Sequence, residues 1–127
     1  MRHYLLDTHL MLCWLADDSA LSHQARRLIS SPENIIFISS VNQWEISLKQ
    51  SLDKLRLPAG FDEALANADF EQLSLTLDDA RHIASLPWLH KDPFDRILIA
   101  QARARGLTLL TADQTVASYG DGVRMVG

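Results

Sequence analysis

The sequence predicts an α/β fold of three layers, a central, mainly parallel sheet of about five strands with helices on both faces. Two observations predict it. Short apolar runs of strand length alternate with stretches of helical periodicity, the order expected of strand–helix–strand units. The carboxylates Asp7, Glu45, Asp95 and Asp113 also stand at strand ends or near the starts of helices. Right-handed crossovers bring the carboxyl ends of parallel strands to one edge of a sheet, where α/β folds bind ligands. At 127 residues, with no low-complexity stretch, clear repeat or Pro/Gly/Ser-rich linker, the chain reads as one domain spanning residues 1–127.

Residues 3–6 form the first short buried strand, and helical periodicity follows over Thr8–Ala16. A second helix fits Ser22–Ser30, where Leu21, Ala25, Leu28 and Ile29 fall at helical spacing and Pro32 closes the segment. Ile35–Ile38 is a compact β-branched and aromatic run, typical of a buried strand. Ser40 with Gln43 makes a capping box for a helix over Val41–Leu52. A loop over Asp53–Gly60, a short helix over Phe61–Ala68 and a third strand over Glu71–Leu75 come next. Thr76 with Asp79 forms a second capping box, for a helix running to about Leu86. Asp92 at the cap, Pro93 at the first position and Asp95 in the first turn open the helix Pro93–Arg105, and Gly106 ends it. Leu107–Leu110 is the fourth strand; a short helix after Asp113 and a fifth strand over Val123–Val126 complete the order.

Composition narrows the setting. The chain is 47% apolar and 22% charged, ordinary for a globular protein. No apolar run approaches the roughly 20 residues that span a bilayer, and the N-terminal stretch meets Asp7 too early for a signal-peptide core. Cys13, the only cysteine, rules out an internal disulfide and fits a reducing compartment, so the expected location is the cytoplasm. Its neighbours Leu12 and Trp14 mark it as a packing residue. The net charge of −4 runs against the basic footprint of nucleic-acid binders, but acids clustered around a cation would account for part of it.

Each acid has a bland reading. Asp7 could cap the helix at Thr8, Asp113 the helix after it, and Asp92 the helix at Pro93. Glu45 stands four residues before Lys49, the favourable order for a surface ion pair. None of these explains why four acids share one edge of the sheet. Converging carboxylates repel unless a divalent cation lies between them, and an all-oxygen donor set suits Mg²⁺ or Mn²⁺ better than zinc. The histidines form no ligand pair at metal spacing. Trp14, Trp44 and Trp88 read as core or partner-facing residues.

The ordered set Asp7-Thr8, Glu45 on a helix, Asp95-Arg96-Ile97-Leu98-Ile99-Ala100-Gln101-Ala102 and Thr111-Ala112-Asp113 resembles the PIN-domain nucleases. More narrowly it resembles VapC-type toxins of toxin–antitoxin pairs, with His90-Lys91-Asp92-Pro93-Phe94-Asp95-Arg96 as a subgroup marker. The resemblance runs from residue 3 to about 126. It implies a PIN-like fold and a metal-dependent endoribonuclease, with RNA as substrate, a cognate antitoxin and a homodimer. Asp7, Glu45, Asp95 and Asp113 match the acidic quartet that holds Mg²⁺ or Mn²⁺ for hydrolysis by activated water. Thr8 matches the hydroxyl residue beside the first acid and is expected to orient Asp7; Asp92 is a cap or supports the site.

His90, Lys91 and Arg96 are candidate substrate contacts. Met11, Leu12, Trp14, Leu15 and Leu28 are expected to leave an apolar patch for a partner. Two other classes stay open: a receiver-like phospho-acceptor domain and a non-catalytic interaction module. Against the first, this chain has no paired acids ending the first strand, no Asp ending Glu71–Leu75 and no lysine at the end of the Leu107–Leu110 strand. A haloacid-dehalogenase-like phosphatase would want an acid where His9 stands.

Overall fold

The computed structural model describes residues 2–127. Five parallel strands, β1 (Arg2–Leu6), β2 (Asn34–Ser39), β3 (Phe70–Leu73), β4 (Thr108–Thr111) and β5 (Val123–Met125), make one sheet in the order β3-β2-β1-β4-β5. Around it lie α1 (Thr8–Leu15), α2 (His23–Ser30), α3 (Ser40–Ser51), α4 (Phe61–Asn67), α5 (Leu77–Arg81), α6 (Pro93–Arg105) and α7 (Gln114–Ala117). A 3₁₀ turn, His82–Ser85, continues α5.

The chain builds outward from β1 in both directions. From β1 it steps to β2 and β3 on one side, then returns to place β4 and β5 on the other. The reversal between β1 and β4 is a topological switch point, where the connections diverge and leave a crevice beyond the strand ends. Leu6 pairs with Leu110 there, and the Asp7 amide donates to the Leu110 carbonyl at 3.1 Å.

Two apolar clusters cover the two faces. Tyr4 and Leu6 of β1 pack with α1 and α2 through Leu10, Met11, Ala25 and Ile29. Leu5 points the other way and packs with Leu98, Ile99 and Ala102 of α6. The alternation of β1 side chains between faces thus binds the three layers together.

Most elements fall within one or two residues of their predicted limits. Asp92 caps α6 by accepting from the amides of Phe94 and Asp95, and Gly106 ends it at φ 66°, a left-handed position that favours glycine. The Thr76–Asp79 capping box is present. The first capping box is displaced by one residue: Ser39 and Asn42 form it, not Ser40 and Gln43. Ser39 both ends the sheet, opposite Leu73, and begins the helix, while Ser40 instead accepts from the Leu75 amide.

The expected patch on the first helices is also corrected. Met11 is fully covered, and Leu12, Trp14, Leu15 and Leu28 are half-buried against that core, with Leu55, Leu57, Leu65 and Phe70 packed beside them. Exposed apolar surface lies instead at Trp44 and Leu48 of α3, at Leu52 just past its end, at Leu77 and Met125, and in the loop at Trp88 and Leu89.

The cap on α6 carries a stability prediction. Asp92→Ala is expected to lower stability by about 1 kcal/mol, and Asp92→Asn by only a few tenths, since Asn still caps. Urea unfolding midpoints measure the difference; equal losses in the two variants would refute the capping role.

Candidate metal centre

A cleft of about 430 Å³ opens at the switch point, lined by Asp7, Thr8, His9, Glu45, Lys49, Asp92, Asp95, Ala112 and Asp113. Five of these nine residues are acidic. Clefts of about 470 and 570 Å³ elsewhere, along α4 and β3, have no comparable convergence of carboxylates.

Asp7 follows β1 directly and is 5% exposed. Its Oδ1 accepts from the Leu10 amide at 2.8 Å, capping α1, and its Oδ2 accepts from Thr111 Oγ1 at 2.6 Å. Burial pushes its pKa above the usual carboxylate value, against the pull of these two hydrogen bonds. Thr111 Oγ1 also accepts from the Asp113 amide at 3.0 Å, so one buried hydroxyl ties the first acid to the turn that carries the last. Asp113 is exposed and caps α7 through the Thr115 amide.

Glu45, one turn into α3, is 5% exposed. Lys49, one turn further on, donates to Oε2, which raises the lysine pKa. The other oxygen, Oε1, is buried without a hydrogen-bond partner. A buried carboxylate oxygen left so is costly unless something else satisfies it.

Asp95 lies in the first turn of α6, with His90 Nε2 at 3.3 Å from its Oδ2. Burial, followed by the negative charges of Asp92, Asp7 and Glu45, pushes its pKa up to about 6, although the His90 hydrogen bond works in the opposite direction. The electrostatics of Asp95 thus register three other acids of the cleft, Asp92, Asp7 and Glu45.

Among the described residues, no three Asp, Glu, His or Cys side chains already stand close enough to enclose one cation. Lys49 holds one oxygen of Glu45, and His90 one of Asp95. The donors nonetheless fit a hard divalent ion. They are oxygens, one is buried and unpartnered, and their mutual repulsion is what a cation relieves.

Two predicted roles change. Thr8 does not orient Asp7: its Oγ1 accepts from Asn42 Nδ2 at 3.1 Å, and Thr111 supplies the hydroxyl on Asp7. Arg96 is not available to substrate. It is 3% exposed, donates to the Pro87 carbonyl at 2.7 Å and the Tyr119 hydroxyl at 2.9 Å, and stacks on Trp88 at 3.9 Å. Its guanidinium is thus taken up by Tyr119 and by the Pro87–Trp88 loop, which covers it. Lys91 is exposed in the loop before Asp92, while His90 is partly buried against Asp95.

Sequence reasoning did not pick out Asn42, Thr111 or Tyr119 as supports of this cleft. Asn42 donates to the Leu6 carbonyl as well as Thr8 Oγ1, pinning the end of β1 to α3. The Ser39-x-x-Asn42 spacing is its one sequence signal. Thr111 could have been placed by pairing Leu6 with Leu110. Tyr119 has no local signal, because its partners are His90 and Arg96.

Fold and cleft together define a parallel α/β protein with an acid-lined crevice at its switch point. The chain belongs to the PIN-domain family, whose model matches residues 4–121. No curated protein matches it in sequence. Among solved structures it is similar to VapBC2 from Rickettsia felis bound to a promoter DNA fragment, with a TM-score of 0.72 and 16% identity over 97% of this chain and 96% of that one. It is also similar to DNA-bound VapBC from Salmonella typhimurium (TM-score 0.67, 19% identity, 98% and 97% covered). A third is VapBC-5 from Mycobacterium tuberculosis, a member of the VapBC family of toxin–antitoxin systems (0.64, 20%, 99% and 98%). At these identities the likeness concerns the fold.

Proposed function

We propose that this chain is a metal-dependent endoribonuclease, the toxin of a toxin–antitoxin pair. The observation that carries the reading is the convergence of Asp7, Glu45, Asp95 and Asp113 on one cleft at the β1/β4 switch point. Membership in the PIN family supports hydrolysis of a phosphodiester and removes the receiver-like alternative. The VapBC relatives support a cognate antitoxin as partner.

Asp7, Asp95, Glu45 and Asp113 are the residues that would hold Mg²⁺ or Mn²⁺. Such an ion supplies a Lewis acid that acidifies water and offsets charge on the phosphate. Thr111 and the Leu10 amide fix the Asp7 carboxylate, so its orientation does not depend on the ligand. Lys49 reaches the same cleft and keeps a positive charge beside Glu45. Asp92 anchors the first turn of α6 and thereby holds Asp95 at the cleft. The exposed stripe Trp44, Leu48 and Leu52 supports a protein contact on α3, for which a homodimer is the proposed occupant. The reaction would take place in the cytoplasm, where RNA is available.

The test is cleavage of structured RNAs by the purified chain with Mn²⁺ or Mg²⁺, beside EDTA and Asp7→Asn. Cutting should require the metal and fall to about 1% or less in the variant. Equal cutting by Asp7→Asn, or cutting that survives EDTA, would remove the cleft from the reaction. No cutting of any RNA by folded, partner-free protein would favour a binding module.

A further inference from the structure

Beside the cleft, four side chains form a hydrogen-bond chain whose direction is fixed at one end. Arg96 Nη1 donates to the Tyr119 hydroxyl at 2.9 Å. That hydroxyl lies 3.0 Å from His90 Nδ1, and His90 Nε2 lies 3.3 Å from Asp95 Oδ2. A guanidinium has five donors and no acceptor, so the tyrosine oxygen must accept from it. Among the described residues, His90 Nδ1 is the one acceptor for the hydroxyl proton, so the arrangement that satisfies this buried hydroxyl has it donating to Nδ1. A neutral imidazole accepting at Nδ1 carries its proton on Nε2, the nitrogen facing Asp95. We infer that Arg96 and Tyr119 set the tautomer of His90 so that it donates to Asp95, making His90 and Tyr119 positioning residues for that carboxylate.

The chain is well anchored. Arg96 is 3% and Tyr119 7% exposed, and the guanidinium is held by the Pro87 carbonyl and by stacking on Trp88. The imidazole packs edge-on against the Tyr119 ring, with centroids 5.3 Å apart. Three parts of the fold meet here: the loop before α6, the first turn of α6, and the segment after α7. Asp95 lines the cleft with its Oδ2 held by His90. His90 therefore acts through Asp95 and not as a contact to RNA. The part of Asp95 in the reaction rests on the proposed nuclease activity; the tautomer does not.

The test uses nitrogen NMR of His90 in the metal-free full chain at about pH 8, together with Mn²⁺ titration and cleavage kinetics. In the wild type, Nδ1 should read as unprotonated and Nε2 as protonated. Tyr119→Phe keeps the ring but should mix the tautomers, weaken Mn²⁺ binding about tenfold, and lower kcat with KM for RNA unchanged. His90→Ala should lose about 10- to 100-fold in Mn²⁺ affinity and kcat, and His90→Gln, whose amide can still donate, should recover most of that loss. A proton on Nδ1 in the wild type, or a tautomer and Mn²⁺ affinity indifferent to Tyr119→Phe, would overturn the inference. So would a raised KM in His90→Ala with unchanged Mn²⁺ affinity, since that marks a direct RNA contact. Should no RNA be cut at all, the nuclease reading fails, while the tautomer and Mn²⁺ measurements still judge the chain.

Discussion

Asp95→Asn is expected to abolish RNA cleavage and to make the metal-free protein more stable at neutral pH. Both effects have one source. The Asp95 carboxyl is raised to about 6 by burial and by the charges of Asp92, Asp7 and Glu45, against about 3.9 in an unfolded chain. A raised acid destabilises the fold when ionised. The penalty is absent below about pH 4, grows between about pH 4 and 6, and is fully present above that. The shift corresponds to roughly 2–3 kcal/mol, which screening at a partly exposed side chain reduces to about 1–2 kcal/mol. Removing the charge should raise Tm at pH 7 by about 4–8 °C and change it little at pH 4. Cleavage should fall to about 1% or less. Thermal melts at the two pH values check the first half. A variant less stable at pH 7 than the wild type would mean that the carboxylate belongs to the folding scaffold.

The second large effect is stabilisation by the metal itself. A divalent ion that binds the folded cleft at about 100 times its Kd should add about 2.7 kcal/mol, roughly 10 °C in Tm. The same Mn²⁺ concentration should do much less at pH 5, because the proton on Asp95 must leave first. With a folded pKa of about 6, that competition weakens apparent affinity about tenfold, and the raised pKa of Asp7 adds to it. Differential scanning fluorimetry with Mn²⁺ at pH 5 and pH 7.5 measures the difference. A pH-independent shift would place the bound ion away from these acids.

The sheet and its acids were legible because their signals are local. β1, β2 and β4 are compact apolar runs, and the acid after β1, the acid after β4 and the Asp-Pro helix start sit at recognisable junctions. Strand order, which makes those junctions adjacent, was reachable only as a consequence of parallel pairing. What stayed hidden depends on partners distant in sequence. Thr111 reaches Asp7 across 104 positions and Arg96 reaches Tyr119 across 23, so nothing near either residue announces the contact. Arg96 illustrates the failure well: a basic residue next to an acid cluster suggests a phosphate contact, yet burial turns its charge inward. Ser39 and Ser40 offered two neighbouring capping choices, and strand pairing at Ser39 decided between them. The helix after Thr76 breaks into a 3₁₀ turn just before Leu86 and Pro87, a local tightening that a 3.6-residue pattern does not reveal.

Asp7, Glu45, Asp95 and Asp113 are proposed to form one cation site. Mn²⁺ binding, followed by electron paramagnetic resonance in wild type, Asp7→Asn and Glu45→Gln, tests it most directly. Binding should be saturable in the wild type and at least tenfold weaker in each variant, with the fold retained. Binding of equal strength in all three proteins, or none in the folded wild type, would contradict it.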